Sequence, residues 1–254
     1  MVENTMDRYF IEISYNGSAY HGWQLQENAV SVQEKLNEAL AILLREPVET
    51  TGAGRTDTGV HAKQLYVHFN SAASILQHPE RFIHSLNALL PFDIAAKRLL
   101  SVHPDAHARF DASDRSYEYL VHFQKDPFKH LFSWQLRDVP DVEKMNIAAQ
   151  ELLGKQDFSC FSKSHTQVFT NICDIKRAEW VWEGDQLIFH ISADRFLRNM
   201  VRAIVGTLME IGLGKKPVSY IQEVIASKDR SKAGTSVPAC GLYLTKVLYP
   251  YIEN

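Results

Sequence analysis

Hydrophobic positions recur along this chain with two periods. Over residues 8–15 they alternate, placing Ile11, Ile13 and Tyr15 on one face, which predicts a half-buried strand. After a loop with Gly17 and Gly22, Ser31 and Glu34 form a capping box. Val32, Leu36, Ala39, Leu40, Leu43 and Leu44 then repeat at helical spacing as far as Pro47. Residues 48–53 read as a strand and residues 64–69 alternate as the next. A helix is predicted over 79–90 and a strand over 94–102. A further strand over 115–123 carries Tyr117 and Tyr119 on one face.

The second half repeats this vocabulary without a detectable sequence repeat. Residues 125–140, with proline and aromatic side chains, read as a connector, and 142–153 have helical spacing. Strands over 172–182 and 187–192 flank the turn Glu183-Gly-Asp185, which predicts a hairpin. A long helix over 197–211 places Met200, Ile204, Leu208 and Ile211 on one side and ends in Gly212 to Gly214. A helix over 217–225 and a strand over 242–249 complete the pattern.

At 254 residues, 45% hydrophobic and 22% charged, the chain has the composition of a globular protein, and the disordered and fibrous classes drop out. No apolar run reaches the length of a membrane span, and the polar start at residues 1–8 has no signal-peptide core, so the cytoplasm is the expected location. Three widely spaced cysteines argue against a disulfide framework. His103 and His107 lack a third ligand, so they read as polar loop residues and no metal is expected. The net charge of −3 counts against nucleic acid as a partner of the whole surface. Arg55, Arg109, Arg115, Arg195, Arg198 and Arg202 nevertheless leave room for a basic cleft on a mildly acidic body.

Candidate chemistry concentrates in Thr51-Gly-Ala-Gly-Arg-Thr-Asp-Thr-Gly-Val-His61. This glycine-punctuated loop presents Arg55 and Asp57 between two predicted strands. Glycines 52, 54 and 59 permit positive φ or close approach of a ligand to the backbone. One carboxylate flanked by Arg55 and the hydroxyls of Thr56 and Thr58 suits nucleophilic attack or charge stabilisation; two-carboxylate hydrolysis is not indicated. Tyr117 and Tyr119 offer either a stacking surface for a flat ring or ordinary packing within the sheet.

Gly54-Arg-Thr-Asp-Thr-Gly-Val-His61 resembles the catalytic motif of the tRNA pseudouridine synthases of the TruA family. Other blocks occur in the family's order: Tyr15-Asn-Gly-Ser-Ala-Tyr-His-Gly-Trp-Gln24, Ser31-Val-Gln33, Leu86-Asn-Ala-Leu-Leu-Pro91, His107-Ala-Arg-Phe110, Arg115-Ser-Tyr-Glu-Tyr119, Asp157-Phe158, Asn199-Met-Val-Arg-Ala-Ile-Val-Gly206 and Gly241-Leu-Tyr-Leu244. The resemblance runs from about residue 8 to residue 249.

It implies an α/β fold of two similar halves sharing a central, mainly antiparallel sheet flanked by helices, with the active-site cleft between them. The boundary is expected near 125/126, the catalytic loop in residues 1–125 and the cleft completed by 126–254. The implied activity is that of an isomerase converting uridines 38, 39 and 40 of the tRNA anticodon stem-loop to pseudouridine, as a homodimer and without cofactor or metal. Asp57 matches the catalytic aspartate, as nucleophile or as abstractor of a ribose proton. Arg55 matches an arginine suited to filling the space left by a flipped nucleotide or to holding its flipped backbone. Tyr117 matches the tyrosine that stacks on the uracil and assists loss of the C5 proton. Arg202 matches an arginine paired with the aspartate, which would keep it ionised and aimed. His21, Trp23 and Gln24 fall in a loop that the resemblance turns toward tRNA. Arg198, Asn199 and Ala203 depart from the family pattern and bear on RNA contacts more than on chemistry. A non-catalytic RNA-binding protein and a glycosidic hydrolase releasing free base are the competing classes.

Overall fold

The computed structural model describes residues 6–72, 77–163 and 170–253; part of the polar start, residues 1–5, lies outside the described residues. The chain is mixed α/β, with mainly antiparallel sheet flanked by helices. It divides into two compact units, residues 1–113 with 244–254, and residues 114–243.

In the first unit, β1 (Asp7–Tyr15) leads through a short 3-10 turn to α1 (Val32–Leu44), which begins at the expected capping box of Ser31 and Glu34. β2 (Thr51–Gly52) is shorter than the strand expected over 48–53. The carbonyl of Thr50 accepts from the Gln33 side chain of α1 at 2.6 Å, so α1 takes a backbone group a strand would have used, and the Thr50 hydroxyl donates to Asn37 of α1 at 2.6 Å. β3 (His61–Ser71), α2 (Pro79–Leu89) and β4 (Ile94–Ser101) follow, and β1 pairs antiparallel with both β3 and β4.

β1 is a strand as expected, but Tyr9, Phe10, Ile11 and Ile13 are all buried, so both its faces are covered. Tyr249 and Tyr251, from the far end of the chain, supply the second cover by packing edge-on against Phe10 at 5.3 and 6.4 Å. Buried Glu12 is satisfied by Arg98 at 2.6 Å and by the Tyr66 hydroxyl at 3.1 Å.

The second unit opens with β5 (Asp114–His122), joined in parallel by the two-residue β6 (Trp134–Gln135). α3 (Val142–Gln150), β7 (Gly154–Asp157), β8 (Ile172–Glu183), β9 (Gln186–Ala193), α4 (Met200–Gly212) and α5 (Tyr220–Ser227) complete it, with strand order β5-β9-β8-β7. The predicted hairpin is β8 and β9, turning at Gly184 with φ 61°. α4 starts three residues later than its periodicity suggested, because Asn199 has φ 66° and cannot belong to the helix. β10 (Leu242–Leu248) follows, and from Leu244 onward its residues belong to the first unit, beside β3. The chain thus divides at 113/114, whereas the boundary was expected near 125/126. β5 pairs along its length with β9, and residues 125–140 lie wholly inside the second unit.

The two units close an open strand edge in the same way. Asn87 of α2 donates to and accepts from the backbone of Ala96 in β4, both at 2.8 Å. Asn146 of α3 does the same to Trp180 in β8, at 3.0 and 2.7 Å. Each asparagine satisfies two backbone groups that would otherwise lack a ladder partner.

His68 in β3 is buried and accepts the Ala108 N–H on Nδ1 at 3.0 Å. Burial, with smaller contributions from His107 and Arg8, pushes its pKa down to about 4. The unfolded chain therefore binds this proton more strongly than the folded one. The stability linked to neutral His68 is complete above about pH 6.5 and is lost as the pH falls toward 4. His68→Asn, which keeps an acceptor near Nδ1 but does not titrate, is expected to flatten the decline of the urea midpoint between pH 6.5 and 4. An unchanged slope would show that His68 is not its source.

Candidate active site

Asp57 occupies the first position of a four-residue turn. The Val60 N–H donates to the Asp57 carbonyl at 3.1 Å, and Gly59 at the third position has φ 78°, the geometry of a type II turn. The segment leading into this turn leaves β2 at Gly52, with the Ala53 N–H donating to Tyr66 in β3 at 2.8 Å. Thr56 is buried and its hydroxyl bonds that of Tyr15 at 2.8 Å. Arg55 is exposed and Asp57 half-buried, so both charges project from a loop whose intervening residue is anchored.

The loop over residues 16–23 clamps this turn from the other side. The Thr56 carbonyl accepts from the Trp23 N–H at 3.3 Å, and the Gly59 N–H donates to the Tyr20 carbonyl at 3.3 Å. The Gly17 N–H donates to Nδ1 of buried His61 at 3.1 Å, which places the His61 proton on Nε2. The Tyr20 hydroxyl donates in turn to Asp93 at 2.5 Å. Backbone meets backbone so closely that side chains are excluded: a Cβ on Gly17 would lie 2.0 Å from the Val60 oxygen, and one on Gly22 2.3 Å from the Thr56 oxygen.

These contacts reassign most of the glycines in the motif. Gly52 leaves room for the Trp23 indole, 2.7 Å from where its Cβ would be, and Gly59 supplies the positive φ of the turn. At Gly54 a Cβ would meet nothing within 4 Å, so close approach of a ligand remains a role for that position. Trp23 is buried as the anchor of its loop, whereas His21 and Gln24 are exposed. Tyr15, Gly17, Tyr20 and Asp93 were not picked out by sequence reasoning as supports of the site. The strand residue Tyr15 and the paired glycines of the following loop were the available signals.

Tyr117 and Arg202 belong to the second unit. Tyr117 is half-buried on β5 and meets Phe196 edge to face at 5.2 Å. Tyr119 is fully buried and its hydroxyl donates to the Pro238 carbonyl at 2.8 Å, so of the two tyrosines it is the one that packs within the sheet. Burial raises its pKa far above the phenolic range. Every α4 residue from Met200 to Met209 except Arg202 is buried. Arg202 donates from Nε to the Val237 carbonyl at 2.7 Å, and the Val237 N–H returns to the Arg202 carbonyl at 3.3 Å. Residues 233–237 are drawn onto α4 beside it. The Gly234 N–H donates to Thr207 at 2.8 Å, and a Cβ on Gly206 would lie 2.0 Å from the Thr235 oxygen. Arg198 is exposed, half-buried Asn199 donates to the Ser236 hydroxyl at 2.5 Å, and Ala203 is buried, where a larger polar side chain would lack space.

Among the described residues, no group of three His, Cys, Asp or Glu side chains is placed to hold a metal ion. No helix among them is long and apolar enough to cross a membrane.

A family model described as tRNA pseudouridine synthase matches residues 148–250, a stretch that includes Arg202. Relatives extend the likeness over nearly the whole chain. The tRNA pseudouridine synthase A of Parabacteroides distasonis is 51% identical over 245 residues, covering 96% of this chain and 97% of its own. That of Bacteroides fragilis is 48% identical over 247 residues, covering 97% and 98%. That of Bacteroides thetaiotaomicron is 50% identical over 248 residues, covering 96% and 91%. At about half identity along almost its entire length, the chain belongs to the tRNA pseudouridine synthase A family.

Proposed function

We propose that this protein isomerises uridines 38, 39 and 40 of the tRNA anticodon stem-loop to pseudouridine through Asp57, without a cofactor. The observation that supports the reading most is the near full-length identity with proteins named tRNA pseudouridine synthase A. In the reaction the N1–C1′ bond breaks, the uracil turns and C5 bonds to C1′. The C5 proton is lost and N1 regains one, so the polymer mass is unchanged. Asp57 acts as nucleophile at C1′ or as abstractor of a ribose proton. The firmly held turn beneath it suits either role, since a carboxylate fixed in place needs no reorganisation when the flipped nucleotide arrives. Arg55 fills the space vacated by that nucleotide, Tyr117 stacks on the detached uracil, and Arg202 is the cationic partner of Asp57.

The test is tRNA transcript carrying 5-tritiated uridine, with tritium release followed and the product nucleosides identified. Stoichiometric release with pseudouridine at 38, 39 or 40 is expected. Free uracil would make the protein a hydrolase, and binding without release would make it a non-catalytic RNA-binding protein. Tyr117→Phe is expected to retain tRNA binding but slow tritium release, because it keeps the ring and loses the hydroxyl. Equal rates would remove the hydroxyl from the mechanism. We take the active species to be a cytoplasmic homodimer, expected to sediment at about twice the 29.0 kDa chain mass.

A further inference from the structure

We propose that the loop over residues 103–111 is a preformed RNA-contact element, in which the Phe110 ring stacks on an unstacked base of the substrate and the Arg109 guanidinium meets its phosphate backbone. The proposal rests on the reading of tRNA as substrate, and it concerns a surface away from the reacting uridine. Phe110 is 74% exposed, and Arg109 beside it is exposed too. The guanidinium carbon lies 5.7 Å from the Phe110 ring centroid, a cation–π arrangement that holds both side chains outward.

The backbone of this loop is held at many points. It is held by Arg8, which donates to the Ala106 carbonyl at 2.9 Å, by His68, which accepts from Ala108, and by the Tyr249 hydroxyl, which donates to the Ala108 carbonyl at 2.5 Å. Asp111 accepts from the His107 N–H and from the Tyr251 hydroxyl, both at 2.8 Å. His107 Nδ1 accepts from the N–H groups of Arg109 and Phe110 at 3.1 and 3.3 Å. A ladder of rings runs outward from fully buried Phe10 through His68 and His107 to Phe110, with successive centroids 6.0, 4.7 and 4.2 Å apart. Burial lowers the pKa of both histidines, so the ladder is uncharged at neutral pH and Arg109 supplies the positive charge at its outer end.

A side chain this apolar, this exposed and this firmly braced is organised for a flat partner. Within the loop the exposed residues Arg109, His103 and Asp105 give the ring polar and charged company. Base stacking needs only one ring face, and arginine adds to it. His68 stands seven residues along β3 from His61, where the catalytic turn ends, a separation of about 23 Å of strand. A contact remote from the reacting atoms that is made equally in ground state and transition state appears in KM rather than kcat.

The experiment measures tRNA binding by filter retention and steady-state tritium release for the full chain and three variants. Phe110→Ala is expected to raise Kd and KM about 5- to 150-fold, the range for loss of one stacked base, while kcat at saturation holds. Phe110→Tyr should restore wild-type values. Arg109→Gln should reduce the slope of log Kd against log salt by about one phosphate contact. Unchanged Kd and KM in Phe110→Ala would overturn the proposal. So would Phe110→Tyr behaving like the alanine variant, which would mark a packing role instead. The substrate reading fails separately. A wild-type protein that makes no pseudouridine but binds tRNA in a Phe110-dependent way would overturn that reading and leave the contact standing.

Discussion

Asp57→Asn is expected to bring tritium release from 5-tritiated tRNA to background, a loss of at least about 10⁴-fold, while tRNA binding survives. The substitution keeps the shape of the side chain and removes its charge. Asparagine is as well suited as aspartate to the first position of the turn that Asp57 and Val60 close, so the loop should keep its course. Loss of activity with intact binding would then report chemistry rather than folding. Matching melting temperatures for the two proteins would secure that interpretation. Persistent tritium release would remove Asp57 from the mechanism, whichever of its two roles is meant.

Gly22→Ala is expected to be nearly as damaging by a different route. Gly22 has φ 92°, which disfavours any side chain, and its Cβ would stand 2.3 Å from the Thr56 carbonyl oxygen, an atom of backbone that cannot rotate away. Strain and clash together should cost about 3 kcal/mol or more of stability. The same carbonyl accepts the Trp23 N–H, and Thr56 is the residue before Asp57. Relieving the clash therefore displaces the Asp57 loop, and a shift of about 1 Å there should reduce kcat about 10²-fold. Gly154→Ala is the control. Gly154 has φ 85° but open space around the added carbon, so alanine should cost about 1 kcal/mol of strain and leave activity alone. Equal effects of the two substitutions on activity would show that Gly22 does not support the site.

Much of the fold was legible because its elements are built from local patterns. The capping box of Ser31 and Glu34 sets the start of α1 whatever packs against it, and the turn at Gly184 specifies the β8–β9 hairpin over a few residues. β7 was missed for the opposite reason. Gly154-Lys-Gln-Asp157 has no apolar alternation and is a strand only because β8 is there to pair with it. The two-sided burial of β1 was equally hidden, since half its cover comes from Tyr249 and Tyr251, more than two hundred residues away. Of the site, the Arg55 and Asp57 loop was visible as a motif, while its supports were not. Gly17 and Gly22 looked like ordinary loop glycines until Val60 and Thr56 were placed against them.

The chain's family resemblance indicated the class of fold, and the sequence by itself determined the periods of its main helices and strands and the segment in which the candidate chemistry is concentrated. These depend on spacing, capping and turn propensities that act over a few residues. Only the tertiary structure decided which face of each strand is covered, that the C-terminal strand returns to the first unit, and that residues 16–23 hold the Asp57 turn in place. Those outcomes depend on hydrogen bonds and close contacts between residues far apart in the chain, and no local pattern encodes them.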